Sequence, residues 1–425
     1  MGLHRPVIAL IDCNSFYCSA QTLFEPWYRD KPVAVASNND GSIVSRNDAA
    51  KALGLKMGQP VFELKDMIAR NEVKIYSSNY ALYQSISNRI MAVLEELSAE
   101  IVPYSIDECW SDLTGVPDPE AWGRNARDEI QRRLGMPVGV GIGPTKTLAK
   151  LANWAAKKWK AKTGCVVDLR DPVKQEKLLR YAPVEEVWGI GRQLSARLKA
   201  DLNIHTAWQL ATADPKHIRR QFSVNVERTA RELKGLPCFP FVDGSPERKQ
   251  QIICSRSFGS KVFALEEMES AVTAFASTAA GKLRAQDSLA NCVQVFARTS
   301  HFAGGEQYGA SRIMAMPYPT SDTRDIVHAA LTGLRSLYRA GPAYAKAGVV
   351  LTQFVERGTV TGDLFAPKPR QGSDDLMRVM DAINAKQGRG ALRLARDTSA
   401  GKWSMRREML SPAYTTAWKD LPRAR

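Results

Sequence analysis

The apolar run Val7-Ile8-Ala9-Leu10-Ile11 ends in a bare acid, Asp12, and a later stretch, Tyr104-Ser105-Ile106-Asp107-Glu108-Cys109, carries two acids side by side. These two signatures constrain the chain more than anything else in it. A buried strand that closes on a carboxylate, met by two further carboxylates, is the layout an enzyme needs to hold two divalent cations against a triphosphate. Magnesium takes only one or two carboxylates beside waters and substrate phosphates, so a few acids on strand ends suffice. Neighbours on a regular strand face opposite ways, so Asp107 and Glu108 reach one site only across a turn or a bulge. Any one of these acids taken alone reads more simply as a surface or capping residue, and the combination is what points to a metal.

At 425 residues the chain exceeds what one hydrophobic core supports, and two to four domains are expected. With 44% apolar and 24% charged residues it has the composition of a folded protein. Its net charge of +15 suits a polyanionic partner such as nucleic acid. Residues 145 to 199 hold thirteen Lys or Arg against five Asp or Glu, so more than half of the surplus sits there. A solvated basic surface kept for solubility is the alternative reading. Seven cysteines without a C-x-x-C pair argue against a disulfide framework and for a reducing, cytoplasmic home, and five scattered histidines draw no zinc site. The N-terminal apolar run, broken at Asp12, is neither a signal peptide nor a membrane span, and the residues after Gly2 do not form a myristoylation signal.

No internal repeat stands out. Val7 to Ile11 and Pro32 to Ala36 read as buried strands, and Tyr80 to Leu97 carries a helical apolar stripe. Val138 to Gly143 alternates as a strand does, and Thr145 is placed to cap a helix to Lys160 with Leu148, Leu151, Ala152, Ala155 and Trp159 on one face and Lys146, Lys150, Lys157 and Lys160 around the rest. Val184 to Gly235 looks purely helical, and Gly235 to Pro246, rich in Pro and Gly, reads as a linker. Beyond it, Gln251 to Ser257, Cys292 to Thr299 and Ala347 to Phe354 have strand patterns, with helices at Met268 to Leu283 and Thr323 to Tyr338. After about residue 355 the chain turns polar and Arg-rich, with one helix expected from Ser373, and its composition suits a tail that orders on a partner.

Four motifs in order carry a resemblance: Ile11-Asp12-Cys13-Asn14-Ser15-Phe16-Tyr17, then Ser105-Ile106-Asp107-Glu108, then Gly139-Val-Gly-Ile-Gly143 with Lys146-Thr-Leu-Ala-Lys150, then Trp188-Gly-Ile-Gly191. The chain resembles the Y-family translesion DNA polymerases, and within them most closely the UmuC-type catalytic subunit of bacterial DNA polymerase V. Ser37-Asn-Asn-Asp-Gly41, Ala155-Ala-Lys-Lys-Trp159, Ser255-Arg-Ser-Phe-Gly259 and Met409-Leu-Ser-Pro412 extend the likeness to the tail. It implies a multidomain α+β fold of right-hand architecture: palm at 1–20 and 79–168, small fingers at 21–78, a helical thumb with a helix-hairpin-helix at 169–235, a linker at 236–250, an α/β little finger at 251–355 and a C-terminal tail at 356–425.

The same resemblance implies Asp12, Asp107 and Glu108 as catalytic metal ligands for two Mg²⁺ ions, with the Cys13 carbonyl as a further ligand, and a dNTP as substrate. Tyr17 is implied as the steric gate, its ring lying where a 2′-hydroxyl would clash. Phe16, Tyr17, Ser45, Arg46, Lys51 and Lys157 are implied nucleotide contacts. Many relatives carry Arg where this chain has Lys51 and Tyr where it has Asp48, which weakens the bidentate hold on phosphate. Gly189, Gly191 and Arg192 would offer backbone N–H groups and charge to a DNA phosphate, with Arg197 and Lys199 nearby, although a lone G-x-G also fits a plain helical turn. Small fingers limit selection by closure, so low fidelity is expected.

Thr361-Gly362-Asp363-Leu364-Phe365 resembles a sliding-clamp peptide, with Leu364 and Phe365 as the docking pair and Thr361 in place of the usual Gln. Primer-template DNA, a cleaved UmuD-type subunit and a RecA filament complete the implied partners, and no membrane is involved. Two rival readings remain open at this point, a nucleotidyl cyclase with a palm-like sheet and a non-catalytic DNA-binding accessory protein.

Overall fold

The computed structural model describes residues 6–242, 248–300, 306–359, 367–388, 390–397, 401 and 403–421. Leu364 and Phe365 and the end of the expected linker lie outside these residues. The chain forms two compact units, one of residues 1–37, 41–244 and 409–425, the other of residues 38–40 and 245–408.

The first unit begins with strand β1 (Ile8–Cys13), helix α1 (Phe16–Thr22), strands β2 (Val33–Ala36) and β3 (Ile43–Arg46), helices α2 (Asp48–Ala52) and α3 (Lys65–Arg70), strand β4 (Lys74–Ser77) and helix α4 (Tyr80–Leu97). It continues through β5 (Ile101–Pro103), β6 (Glu108–Asp112), α5 (Pro119–Leu134), β7 (Val138–Gly143), α6 (Lys146–Lys158), the short α7 (Lys160–Thr163) and β8 (Val166–Asp168). Two sheets result, one of five strands ordered β5-β6-β1-β7-β8 and one of three ordered β3-β2-β4. β1 is central because its residues from Ile8 to Ile11 are buried and apolar on both faces, and it runs antiparallel to β6 and β7. The strand continues through Asp12, so that acid lies in the ladder opposite Glu108 rather than beyond its end.

Helix α4 spans the residues its apolar stripe marks and is capped by Asn79, whose side chain accepts from the Leu82 N–H at 3.3 Å. Thr145 caps α6 as expected, accepting from the Leu148 N–H at 3.2 Å. Leu148, Leu151, Ala152 and Ala155 are buried, whereas Lys146, expected on the polar side, is buried as well, with its ammonium 5.7 Å from the Trp110 ring centre. A long aliphatic stem lets a lysine lie along apolar surface, which its charge hides in the sequence.

Helix α6 lies unusually close to β7. A Cβ on Gly141 would stand 2.1 Å from the Asn153 nitrogen and 2.2 Å from the Ala149 oxygen. Asn153 uses this proximity to donate to the Gly139 carbonyl at 2.7 Å and the Leu10 carbonyl at 3.3 Å. Gly141→Ala is therefore expected to lift α6 off the sheet and to cost about 3 kcal/mol or more. A melting temperature equal to the wild type's would contradict that close fit.

Helices α8 (Pro172–Tyr181), α9 (Arg192–Leu202), α10 (Ala207–Thr212), α11 (Pro215–Gln221) and α12 (Val224–Glu232) follow, all without strands. Their core joins Leu178, Leu179, Val184, Leu198, Leu210 and Ile218. Glu232, with no exposed surface, fastens this bundle to the start of α6. Its carboxylate accepts from the Thr147 N–H and hydroxyl at 2.9 and 2.7 Å and from the Cys238 and Phe239 N–H groups at 3.1 Å each. A charge-assisted network of this kind is strong because every acceptor site is used.

The second unit runs β9 (Ile252–Val262), α13 (Leu265–Ala285), β10 (Ser288–Thr299), β11 (Gly309–Thr320), α14 (Thr323–Leu337), β12 (Tyr344–Glu356) and α15 (Ser373–Gln387). The β-α-β-β-α-β order gives one antiparallel sheet, β11-β10-β12-β9, covered by α13 and α14. β11 was not expected, since Pro317 and Pro319 break its pattern. Both prolines are tolerated because β11 is an edge strand and the register shifts next to them, between Ala290 and Cys292 of its partner. The tail is also more ordered than its composition suggests, for Met409 to Pro412 hydrogen-bonds within the first unit. No helix among the described residues is long and apolar enough to cross a membrane.

Candidate active site

The ladder itself assembles the acids. Asp12 faces Glu108 across the β1–β6 pair, and the Cys13 N–H donates to the Asp107 carbonyl at 3.0 Å. The turn that Asp107 and Glu108 require exists: the Tyr104 and Ser105 N–H groups both donate to the Glu108 carbonyl, at 2.9 and 3.1 Å. Asp107 sits in this turn, held by the Ser105 hydroxyl at 2.6 Å, and Glu108 is the first residue of β6.

Asp12 and Asp107 open into one cleft of about 420 Å³ that is also lined by Cys13, Phe16, Tyr17, Ser45, Arg46, Lys51 and Lys157. Every residue expected to touch a nucleotide therefore lines the same space. Ser15, Val44, Met57 and Ile106, which the sequence did not single out, complete it. Ser15 adopts a left-handed backbone (φ 47°), which turns the chain sharply from the acid-bearing strand into the helix of Phe16 and Tyr17. The Tyr17 ring stacks on Tyr83 of α4 with centres 4.2 Å apart and planes 14° apart.

Glu108 is not among the lining residues. It accepts from the Lys150 ammonium at 2.8 and 3.0 Å, while Lys157 pairs with Asp12. Both lysines come from α6, the helix that packs on Gly141 and Gly139 of β7. With Asp12 and Glu108 each holding a lysine and Asp107 a serine hydroxyl, no three His, Cys, Asp or Glu among the described residues form a closed metal cage. The expected trio is thus adjacent in backbone, while its side chains are divided between two lysines and a serine. Burial pushes the Asp12 carboxyl up to about 7 despite Lys157, and the neighbouring charges of Glu108 and Asp107 push in the same direction. Hard oxygen donors under such mutual repulsion have the chemistry that a hard divalent cation takes.

On the other side of the cleft Arg46 and Lys51 stand ready for anions. The Arg46 Nε is buried and has no hydrogen-bond partner among the described residues. Lys51 donates to Asp48 at 2.8 Å and to the Ser15 hydroxyl at 3.2 Å, and Lys160 reaches the other Asp48 oxygen at 2.5 Å. Burial pushes the Asp48 carboxyl up, but the hydrogen bonds from Lys160 and Lys51 outweigh it and hold the group down at about 2.

Three family models match the chain: the impB/mucB/samB family over residues 11–154, the C-terminal domain of that family over 249–364, and a domain of unknown function, DUF4113, over 374–424. Protein ImpB of Salmonella typhimurium is 45% identical over 99% of this chain and all of its own length. Protein UmuC of Salmonella typhimurium strain LT2 is 46% identical with the same coverage. The chain belongs to the UmuC/ImpB family of Y-family DNA polymerases. It is a DNA-directed DNA polymerase of the error-prone, translesion type, linked to SOS damage tolerance. A Y-family DNA polymerase chimera of Dbh and Dpo4 shares the polymerase's fold, with a TM-score of 0.64 at 19% identity over 83% of this chain and all of the other. The cyclase and accessory-protein readings fall with this assignment.

In the helical part of the polymerase the Trp188-Gly189-Ile190-Gly191 turn follows a single 3-10 turn, Val184–Glu186, rather than a full first helix. Gly189 has φ +84°, a conformation that favours glycine, and Gly191 is the exposed N-cap of α9. Of the three nearby cations, Arg197 lies over the Phe222 ring at 4.9 Å and Lys199 pairs with Glu185 at 2.9 Å, so both are engaged within the fold. Arg192 has no ion pair among the described residues. Sequence reasoning missed Lys150, Glu232 and Tyr83, since a lysine pairing an acid forty-two residues away and a carboxylate consumed by backbone donors leave no local pattern.

Proposed function

We propose that the five-stranded sheet with α4, α5 and α6 is the palm (1–20 and 79–168), the three-stranded sheet the fingers (21–78), α8 to α12 the thumb (169–235), and residues 251–355 the little finger, with 236–250 as linker and 356–425 as tail. The observation that carries this reading is the single cleft shared by Asp12, Asp107, Tyr17, Arg46, Lys51 and Lys157. It has the volume of a small-ligand site and is lined by both acids and cations.

In this reading the primer 3′-hydroxyl attacks the α-phosphate of a dNTP and pyrophosphate leaves. Asp12, Asp107, Glu108 and the Cys13 carbonyl would hold two Mg²⁺ ions, which when bound lower the charge barrier at the attacking and leaving oxygens. Arg46, Lys51 and Ser45 hold the triphosphate, and Lys157 exchanges Asp12 for a phosphate oxygen. Phe16 backs the pocket and Tyr17 excludes a 2′-hydroxyl. Gly189, Gly191 and Arg192 bind a DNA phosphate without reading bases, which suits a template of any sequence or damage.

Arg46→Ala is expected to raise KM for the dNTP about tenfold or more with a smaller change in kcat, because a guanidinium with an unused buried donor is lost. Single-nucleotide insertion kinetics would show it, and an unaltered KM would place Arg46 outside the triphosphate site. The proposed activity as a whole is tested by magnesium-dependent extension of a primer across an abasic site. Asp107→Asn combined with Glu108→Gln should abolish it, and residual extension by that double variant, free of other polymerases, would refute the metal assignment.

By resemblance the partners are a cleaved UmuD-type subunit, a RecA filament and the sliding clamp, the last through Leu364 and Phe365. A pull-down comparing wild type with Leu364→Ala and Phe365→Ala decides the clamp contact, since an apolar pair is what such a pocket takes.

A further inference from the structure

The domain of unknown function includes a segment, Met409 to Asp420, that holds residues just beyond the end of α1 and just before the start of α4. The Ser77 N–H donates to the Met409 carbonyl at 2.8 Å and the Met409 N–H to the Ser77 hydroxyl at 3.0 Å, which extends the edge strand β4. Met409 itself packs against the core of the three-stranded sheet. Two residues on, the Asn79 amide donates to the Ser411 carbonyl and hydroxyl at 3.2 and 3.0 Å and to the Pro412 carbonyl at 3.2 Å. Tyr414 then stacks on Phe24 with ring centres 4.5 Å and planes 9° apart, and its hydroxyl donates to Glu25 at 3.0 Å. The segment is closed on itself by the Ala413 N–H donating to Asp420 at 3.0 Å.

Each of these grips falls on a structurally sensitive residue. Asn79 is the N-cap of α4, the helix that carries Tyr83, so one side chain both starts that helix and holds the tail. Phe24 and Glu25 lie two and three residues beyond α1, the helix that carries Tyr17. Tyr17 and Tyr83 are the stacked pair, and Tyr17 lines the cleft. The tail therefore spans the start of one helix and the end of the other, and the stacking between them depends on how those helices are set. Ser411 is buried and Tyr414 packs against the core around Ile11 and Phe16, so the contact is a packed one and not a surface graze.

We propose that Met409–Asp420 is a positioning element of the polymerase, which fixes α1 and α4 so that Tyr17 and Tyr83 form a rigid floor under the incoming nucleotide. The tail touches no reacting atom and acts through Asn79, Phe24 and Glu25. The sugar-selective part of its effect rests on the reading of Tyr17 as the gate, and the binding part does not.

Two variants test it in the full-length protein. Tyr414→Ala removes the stacking and the hydroxyl. Asn79→Asp keeps the acceptor that caps α4 but replaces the donor to Ser411 and Pro412 with an oxygen facing their oxygens. Both are expected to raise KM for a correct dNTP roughly tenfold, with kcat and primer-template affinity little changed, as for a loss of nucleotide positioning. Both should also narrow the preference for dNTP over rNTP, and Tyr414→Phe, which keeps the stacking, should restore most of each loss. Should Tyr414→Ala fail to fold, Asn79→Asp decides. Wild-type KM in the folded variants, or a fall in kcat alone, would overturn the proposal.

Tyr17→Ala, measured alongside, separates the two readings. If it loses sugar discrimination while the tail variants keep a wild-type KM, the gate stands and the positioning role falls. If it keeps discrimination while the tail variants raise KM, the gate falls and the positioning role stands.

Discussion

Asp12→Asn is expected to slow nucleotide insertion at saturating dNTP at least about a thousandfold while leaving primer-template binding intact, because a neutral amide would hold the divalent cations far more weakly than a carboxylate, and their charge is what would offset the negative charge that develops on the phosphoryl oxygens. The substitution is nearly isosteric and sits in a central strand, so the ladder to Glu108 and Gly139 is kept. Stability should not fall. Asp12 is half-buried, and desolvation with Glu108 and Asp107 raises its carboxyl against Lys157, so removing one of three mutually repelling acids relieves that cost. Lys157 loses its ion pair and is left for the triphosphate, so nucleotide affinity is expected to hold even as the rate collapses. Insertion within tenfold of the wild type would remove Asp12 from the chemistry, and a loss of folding would mean that the acid is structural.

Tyr17→Ala is expected to raise the efficiency of ribonucleotide insertion about a hundredfold relative to deoxyribonucleotide insertion, the range over which a shaped pocket rejects one added hydroxyl. The ring is held in place from below by its stack on Tyr83, and Tyr83 in turn donates no freedom, being fully buried with its hydroxyl accepting from Gln21 at 3.0 Å. A ring braced in this way resists swinging aside, which the proposed gate requires. Tyr17→Phe keeps the ring and should keep the discrimination, which separates a steric effect from a hydrogen bond made by the phenol. Primer extension with each variant and mixed nucleotide pools reads the outcome, and sugar selection unchanged by Tyr17→Ala would sink the assignment.

Much of the site was legible because its parts are local. The run into Asp12, the adjacent Asp107 and Glu108, the helical stripe of α4 and the alternation of Val138 to Gly143 each declare their element within a few residues. β11 escaped because prolines, which mark a break anywhere else, are permitted on an edge. Lys146 was assigned to the wrong face because charge outweighs stem length in any reading by residue type. The helix before the Trp188 turn proved to be one 3-10 turn, since four residues cannot show a period.

The order of apolar residues, glycines and lysines along the chain determined that Val7 to Ile11 forms a buried strand and where α4 and α6 begin, because strand and helix periods are written in near neighbours, while the residues proposed for a nucleotide were named by the ordered motifs the chain shares with its family. Only the tertiary structure decided that Lys150 and Lys157 hold the acids, that Glu232 ties the helical bundle to α6, and that the tail clasps the floor at Asn79 and Phe24. Those contacts join residues far apart in the chain. Their energies come from desolvated charge and close packing, which exist only once the backbone has brought the partners together.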